Sequence, residues 1–215
     1  VTFVGVETLS IDTDGGQLAM ATSRDDDTLA ITPLDAASGR LALSSSALAV
    51  RYAGLAGLPI DLDLGGGEDT LVVNGSVASD AAVIDASSVI FTDDGRSLTY
   101  AGIEALVFNG LSGDDRLDVD NSAGLIDLPG GILFDGGLGS DLLRLIGSVR
   151  VESDTYDVGP EPGSGRVVQT LEGRRQAVYF ADLEPVLDVV AGAMTINGTA
   201  GSDHINYDVG EYSGT

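Results

Sequence analysis

Two short sequence templates recur along this chain, and their repetition limits the fold more than any other feature. The first template runs aromatic, any residue, Gly, aliphatic, Glu, as in TYAGIEALVF at 99–108. Similar stretches lie at 2–11, 51–60 and 179–188, and the template glutamates are Glu7, Glu104 and Glu184. Internal repetition is typical of architectures in which each unit buries its apolar face against its neighbours. We therefore expect the recurring glutamate to have an architectural role, capping a backbone amide of a turn.

The second template is a Gly-rich turn followed by Asp, any residue and an aliphatic residue. Its five copies place aspartates at Asp27, Asp69, Asp115, Asp141 and Asp203. The intervals of 42, 46, 26 and 62 residues lie near multiples of roughly 20–25 residues, the length of one β-solenoid coil. Of these aspartates, we expect only Asp115 and Asp141 to lie on neighbouring coils.

Between the turns lie runs of four to six residues rich in Val, Ile, Leu and Thr, a composition typical of strands. The prediction is an all-β fold, a right-handed parallel β-helix of about 8–10 coils that forms one repeat domain over 1–215. A β-propeller is the alternative, because a unit near 48 residues also suits a blade. Segment 159–176 holds two of the six prolines and is predicted to be an inserted loop or hairpin.

Composition narrows the function. The formal net charge is −24, all ten basic residues are Arg, and no apolar run reaches a membrane span. We expect neither nucleic-acid binding nor membrane insertion, since a basic surface is required for the first. With one histidine, His204, and no cysteine, a catalytic triad is hard to assemble. Aromatic residues make up only 5%, so surfaces for stacking sugars are scarce, and we expect no enzyme.

The stretch GGLGSDLLR at 136–144 resembles the nonapeptide GGxGxDxUx of hemolysin-type calcium-binding (repeats-in-toxin) proteins. Its alternation with the first template is similar to degenerate repeat regions of large secreted or surface proteins of bacteria. The resemblance implies Ca²⁺ bound by glycine carbonyls and aspartate carboxylates, an aliphatic residue (Leu143) directed into the core, and an extracellular or cell-surface location. The implied metal-site residues are Asp141, Gly136, Gly139, Asp115, Gly113, Asp69 and Asp203.

Three functional interpretations follow. The first is a structural or adhesive extracellular repeat segment stiffened by Ca²⁺. The second is a carbohydrate-active β-helix, a polysaccharide hydrolase or lyase. The third is a salt-adapted acidic scaffold or self-assembling filament subunit without metal. Because the chain starts within a template and ends soon after a turn, we expect a segment of a longer protein. Expected partners are further copies, assembled end to end or laterally, or a surface carbohydrate or protein.

Overall fold

All regular secondary structure in the described part of the computed structural model is β-strand, which confirms the predicted all-β class. The structure describes residues 8–45, 49–55, 57–147, 150–183, the backbone of 186–188, and 194–202. Among these residues, no helix is long and apolar enough to cross a membrane. The strands are β1 (Thr8–Asp12), β2 (Ala19–Ala21), β3 (Thr28–Asp35), β4 (Ser38–Leu43), β5 (Ala49–Ala53), β6 (Ile60–Asp63), β7 (Thr70–Asn74), β8 (Ala81–Ile84), β9 (Ser88–Phe91), β10 (Ser97–Ala101), β11 (Ala105–Asn109), β12 (Arg116–Asp120), β13 (Gly131–Asp135), β14 (Leu142–Ile146), β15 (Ser153–Val158), β16 (Gly165–Leu171), β17 (Arg174–Ala181), β18 (Val186–Asp188) and β19 (Met194–Asn197).

The strands form two mixed sheets. Sheet I has the order β1-β5-β4-β3-β7-β11-β13-β17-β16-β15-β19, and sheet II has the order β18-β14-β12-β8-β9-β10-β6-β2. Most neighbours are parallel, as in β7, β11 and β13 of sheet I and β8, β12 and β14 of sheet II. The exceptions are antiparallel pairings that involve β4, β9 and β16.

The chain alternates between the two sheets and so creates two edges. We call the edge where it passes from sheet I to sheet II the forward edge, and the opposite one the return edge. Within the described strands the chain passes forward six times, from β1, β5, β7, β11, β13 and β17. Consecutive passages from β11 and β13 advance by one strand. The return connections to β3 and β15 skip positions that antiparallel hairpins then fill, as β4 and β5 do between β3 and β1, and the forward connection from β7 to β8 skips the positions that β9 and β10 fill.

Alternating burial explains why these short runs become strands. In β7, Leu71 and Val73 are fully buried, while Val72 between them and the residues on either side are partly exposed. This period of two directs one face of each strand into the core. Parallel pairing in register then brings like residues together. Phe108 lies beside Phe134 with ring centroids 5.8 Å apart, and the side-chain Nδ2 of Asn109 donates to Asn74 Oδ1 over 2.8 Å.

Segment 159–176 contains the turn after β15, all of β16 and the start of β17. Strand β16 pairs antiparallel with both β15 and β17, so the segment continues sheet I. Here Gln169 donates to the buried Asp154 over 2.8 Å and accepts, over 3.3 Å, a hydrogen bond from Asn121. The added strands therefore carry buried polar contacts as well as apolar ones.

Candidate functional site

Three buried aspartates form a row along the forward edge. Asp80, Asp115 and Asp141 each lie five residues after a glycine and directly before a strand of sheet II. The Oδ1 atom of Asp115 accepts a hydrogen bond from the Asp80 backbone N–H over 2.7 Å, and Oδ1 of Asp141 accepts one from the Asp115 N–H over 2.8 Å. None of the three is more than 3% exposed. The carboxyl groups of Asp115 and Asp141 thus each tie their own turn to the preceding one.

A second row lies along the return edge. Oδ1 of Asp69 accepts from the Asp27 N–H over 2.7 Å, and Oε2 of Glu104 accepts from the Asp69 N–H over 2.6 Å. The predicted capping role of the template glutamate is therefore confirmed at Glu104. Glu7 and Glu184 lie outside the described residues.

Each row ends where an antiparallel strand replaces the next parallel one. Strand β4 lies beside β3, so Asp27 Oδ1 accepts from the Ser45 hydroxyl over 2.7 Å. Strand β9 lies beside β8, and there the Arg96 guanidinium donates to Asp80 Oδ1 over 2.9 Å. A side-chain donor therefore occupies the place that the backbone N–H of a stacked turn fills within each row.

Glycine is required where the turns stack most closely. Gly139 has φ +148°, and a Cβ built on it would lie 1.6 Å from the carbonyl oxygen of Gly113. Leu111 replaces the second glycine of the template, yet it keeps the left-handed conformation of its equivalent Gly137, with φ +77° against +86°. The turn geometry is therefore retained where the sequence motif is degenerate, at a steric cost to Leu111.

The aspartates of the two rows differ in their electrostatics. Burial, together with the negative charges of Asp141 and Asp80, raises the pKa of Asp115 to about 6, although the hydrogen bond from the Asp80 amide opposes the shift. Burial likewise raises the pKa of Asp141. By contrast, hydrogen bonds from Ser45 and Ser23 lower the pKa of Asp27. The Asp115 carboxyl group therefore holds a proton up to about pH 6, whereas Asp27 stays ionised to a lower pH than an ordinary aspartate.

One oxygen is left over on several carboxyl groups. The Oδ2 atoms of Asp69, Asp115 and Asp141 are buried without a hydrogen-bond partner. Those of Asp115 and Asp141 lie against Gly110 and Gly136, since a Cβ on either glycine would approach them to 2.3 and 2.7 Å. A Ca²⁺ ion needs six to eight oxygens. In the described part of the chain, no group of three or more His, Cys, Asp or Glu side chains could hold a metal ion. Calcium binding thus remains a prediction from the sequence.

The structure distributes the predicted metal-site residues over both edges. It brings Asp115, Asp141 and their glycines together on neighbouring turns of the forward edge, and Leu143 is fully buried in the core as predicted. Asp69 lies on the return edge. Asp203 and His204 lie outside the described residues.

The expectation that only Asp115 and Asp141 are neighbours was wrong. Asp69 contacts Asp27 across 42 residues, because the hairpin through β4 lengthens the chain between two stacked turns. Sequence reasoning also missed Asp80, whose turn has Ala78 where the template has Gly. The signal was present, since NGSVASD at 74–80 shares its Asn-Gly start and its Asp with NGLSGDD at 109–115.

Comparison with protein-family models, with curated proteins and with solved structures finds no match to this chain.

Proposed function

We propose that this chain is a structural or adhesive repeat segment of an extracellular or cell-surface protein, built as a parallel β-solenoid with hairpin insertions. One observation supports the scaffold role above all. Carboxyl groups in both rows, those of Asp69, Glu104, Asp115 and Asp141, accept hydrogen bonds from backbone amides of neighbouring turns, at 2.6–2.8 Å. They therefore hold stacked turns together. The extracellular location is supported by the resemblance of the turns to secreted repeat proteins.

Burial argues against assigning these carboxyl groups to catalysis. A glycoside hydrolase needs two carboxyl groups that reach a substrate on opposite sides of the scissile bond. Asp115 and Asp141 are 1% and 0% exposed, and each has one oxygen bound to a backbone amide. The polysaccharide hydrolase or lyase is therefore the weaker alternative for this site.

Calcium stiffening is the second candidate. The observation that favours it is the buried Oδ2 atom left without a partner on Asp69, Asp115 and Asp141. A bound cation would supply the positive charge that these oxygens lack, and it would stabilise the folded chain through its binding free energy.

Amide hydrogen exchange measured by NMR tests the scaffold role. The amides of Asp69, Asp80 and Asp115 should exchange as slowly as amides in the core strands, because each is buried and bonded to a carboxyl group. In Asp141→Ala, the Asp115 amide should lose more protection than any amide at the return edge. Asp114→Ala is the matched control, since Asp114 is an exposed cap that accepts from the Ser140 N–H over 3.0 Å.

Fast exchange of these amides in the unsubstituted chain would refute the scaffold role. The calcium candidate is measured separately, by calorimetric titration with CaCl₂ and by melting in CaCl₂ or EGTA. Calcium binding that is lost in Asp141→Ala would support stiffening by the metal. The same melting temperature in CaCl₂ and in EGTA would refute it.

A further inference from the structure

Exposed aliphatic side chains line the forward edge. We call this surface the apolar edge, and it consists of Leu34, Leu58, Val77, Leu111 and Leu138. Their exposed fractions are 73%, 44%, 84%, 46% and 75%. Each lies in or next to a turn at the forward edge, not in the middle of a strand. Single exposed aliphatic residues are common, but a series of them along one line marks an interaction surface.

Three of the five residues lie on directly stacked turns. The Leu138 N–H donates to the Leu111 carbonyl oxygen over 3.1 Å, and the Ser112 hydroxyl donates to the Val77 carbonyl oxygen over 3.4 Å. Neighbouring strands are about 4.8 Å apart, so the three turns, each about one strand spacing from the next, form a strip that carries these side chains. Leu58 and Arg96 line the same depression, and Arg96 bonds to Asp80 in the turn of Val77. That contact joins the two parts of the apolar edge.

The fold does not require aliphatic residues at these positions. The return edge has the same stacked architecture, yet its described turns expose no large aliphatic residue, and many of their exposed residues are charged, as in Arg24, Asp25, Asp26 and Glu68. On the forward edge itself, Ser112 occupies the position equivalent to Val77 and Leu138. The apolar character therefore has a cause other than turn formation.

Charge indicates what the apolar edge binds. Exposed carboxylates flank it at Asp35, Asp93, Asp94 and Asp114. Arg96, which lies on this edge, is already ion-paired with Asp80 and Asp94, at 2.9 and 2.5 Å. A second copy of a chain with net charge −24, or an anionic lipid surface, would place negative charge against negative charge. A partner must therefore combine apolar side chains with positive charge.

We propose that the apolar edge docks a polypeptide segment in which aliphatic side chains alternate with Lys or Arg. The aliphatic side chains cover the strip, and the cations pair with the flanking aspartates. This inference goes beyond the scaffold role by giving that scaffold a partner. Its test measures binding, while the scaffold test measures amide protection, so the two proposals fail independently.

Fluorescence anisotropy with three labelled synthetic peptides of equal length tests the proposal. The peptides alternate Leu with Lys, Ser with Lys, and Leu with Glu. The Leu-Lys peptide should bind at least about tenfold more tightly than the Ser-Lys peptide, because charge alone accounts for the latter. The double variant Val77→Ser and Leu138→Ser should abolish this tenfold difference. Ile90→Ser is the matched control, because Ile90 is 41% exposed but lies on β9 of sheet II.

Equal binding of the Leu-Lys and Ser-Lys peptides would overturn the proposal, since it would reduce the interaction to net charge. Equal binding of the Leu-Glu and Leu-Lys peptides would also overturn it, because it would remove the cation from the recognition.

Sedimentation of the free chain gives a further outcome. Dimerisation that the double variant abolishes would assign the edge to a second copy. Where the double variant is unfolded by circular dichroism, Val77→Ser alone, at a residue 84% exposed, provides the comparison.

Discussion

The forward and return edges use the same hydrogen bond with different electrostatic consequences. At the forward edge, Asp115 lies between two other buried aspartates, and burial together with their charge raises its pKa to about 6. At the return edge, Asp27 ends its row beside two serines, whose hydrogen bonds lower its pKa. A carboxyl group that caps one amide is thus ionised or protonated according to what its remaining lone pairs meet.

The difference shows that the electrostatic free-energy cost of a row of stacked carboxyl groups grows with the number of groups in the row. Within the row, each added member brings another negative charge into a buried environment. At a row end, a hydroxyl group or a guanidinium group relieves that charge, as Ser45 and Arg96 do. The hairpins that interrupt the parallel order therefore also limit the accumulation of charge.

The largest expected effect comes from breaking the stack at the forward edge. Gly139→Ala would place a Cβ 1.6 Å from the Gly113 carbonyl oxygen, so the two backbones must move apart. We expect a loss of more than about 3 kcal/mol in the free energy of unfolding, measured by urea denaturation. Gly95→Ala is the control, since Gly95 has φ +78° and open space around its Cβ position. It should cost about 1 kcal/mol. Equal losses would mean that the forward turns do not stack.

Removing a cap at the return edge should have the next largest effect. Glu104→Ala leaves the N–H of the fully buried Asp69 without an acceptor. An unsatisfied buried donor costs about 1–3 kcal/mol, which urea denaturation resolves. Glu104→Gln keeps a carbonyl oxygen in reach of the amide and should lose less than half as much. If glutamine and alanine were equally damaging, the negative charge rather than the cap would be the essential property.

Because of Asp115, the forward row should make the free energy of unfolding fall as pH rises. The folded chain binds a proton at Asp115 up to about pH 6, whereas the ordinary aspartate value is 3.8. The contribution of this group is therefore complete below about pH 4 and is lost as pH rises through about 6. Asp115→Asn keeps the acceptor for the Asp80 amide and removes the charge. It should stabilise the chain at pH 7.5 by at most about 2 kcal/mol, allowing for screening.

Denaturation of Asp115→Asn at several pH values between 4 and 7.5 tests this sign. The variant should show a smaller decline with pH than the unsubstituted chain, and Asp114→Asn, at an exposed position, should leave the decline unchanged. Loss of stability at pH 7.5 in Asp115→Asn, with the decline intact, would show instead that the folded state needs the ionised carboxylate.

The smallest effect should come from removing the hydroxyl group that bonds to the Asp27 carboxyl group at the end of the return row. Ser45→Ala removes the hydroxyl donor that contributes most to lowering the pKa of Asp27. The pKa of Asp27, measured by carbon-detected NMR titration, should therefore rise. Ser44→Ala is a neighbouring control, because its hydroxyl accepts from the Thr28 amide and does not contact the carboxyl group. An unchanged Asp27 pKa in Ser45→Ala would remove serine capping as the cause of the difference between the edges.

Local structure could be predicted from this sequence, whereas strand order could not. Glycines and aspartates located the turns at Asp69, Asp115 and Asp141, because each of these turns contains glycine with positive φ and needs a nearby acceptor, and a run of aspartates alone located the turn at Asp27. The number of residues between two stacked turns does not follow from these turn residues. Neighbouring carboxyl groups in the two rows are 26, 35 or 42 residues apart, depending on whether a hairpin intervenes. A strand that joins a hairpin has the same alternating pattern as one that continues to the other sheet, so periodicity cannot distinguish them.

The skipped positions in sheet I impose an order of events on folding. Strand β3 lies three places away from β1, and the places between them are filled later in the sequence by β4 and then β5. During synthesis, β3 can pair with β4 as soon as β4 emerges, whereas the backbone groups of β1 that pair with β5 wait until Ala49–Ala53 is available. Pairings between strands that are distant in the sequence form slowly, because the entropy of loop closure is lost before the stabilising contacts form. An acidic, lysine-free chain has an advantage in that interval, since mutual repulsion keeps incomplete copies from joining at their open strands.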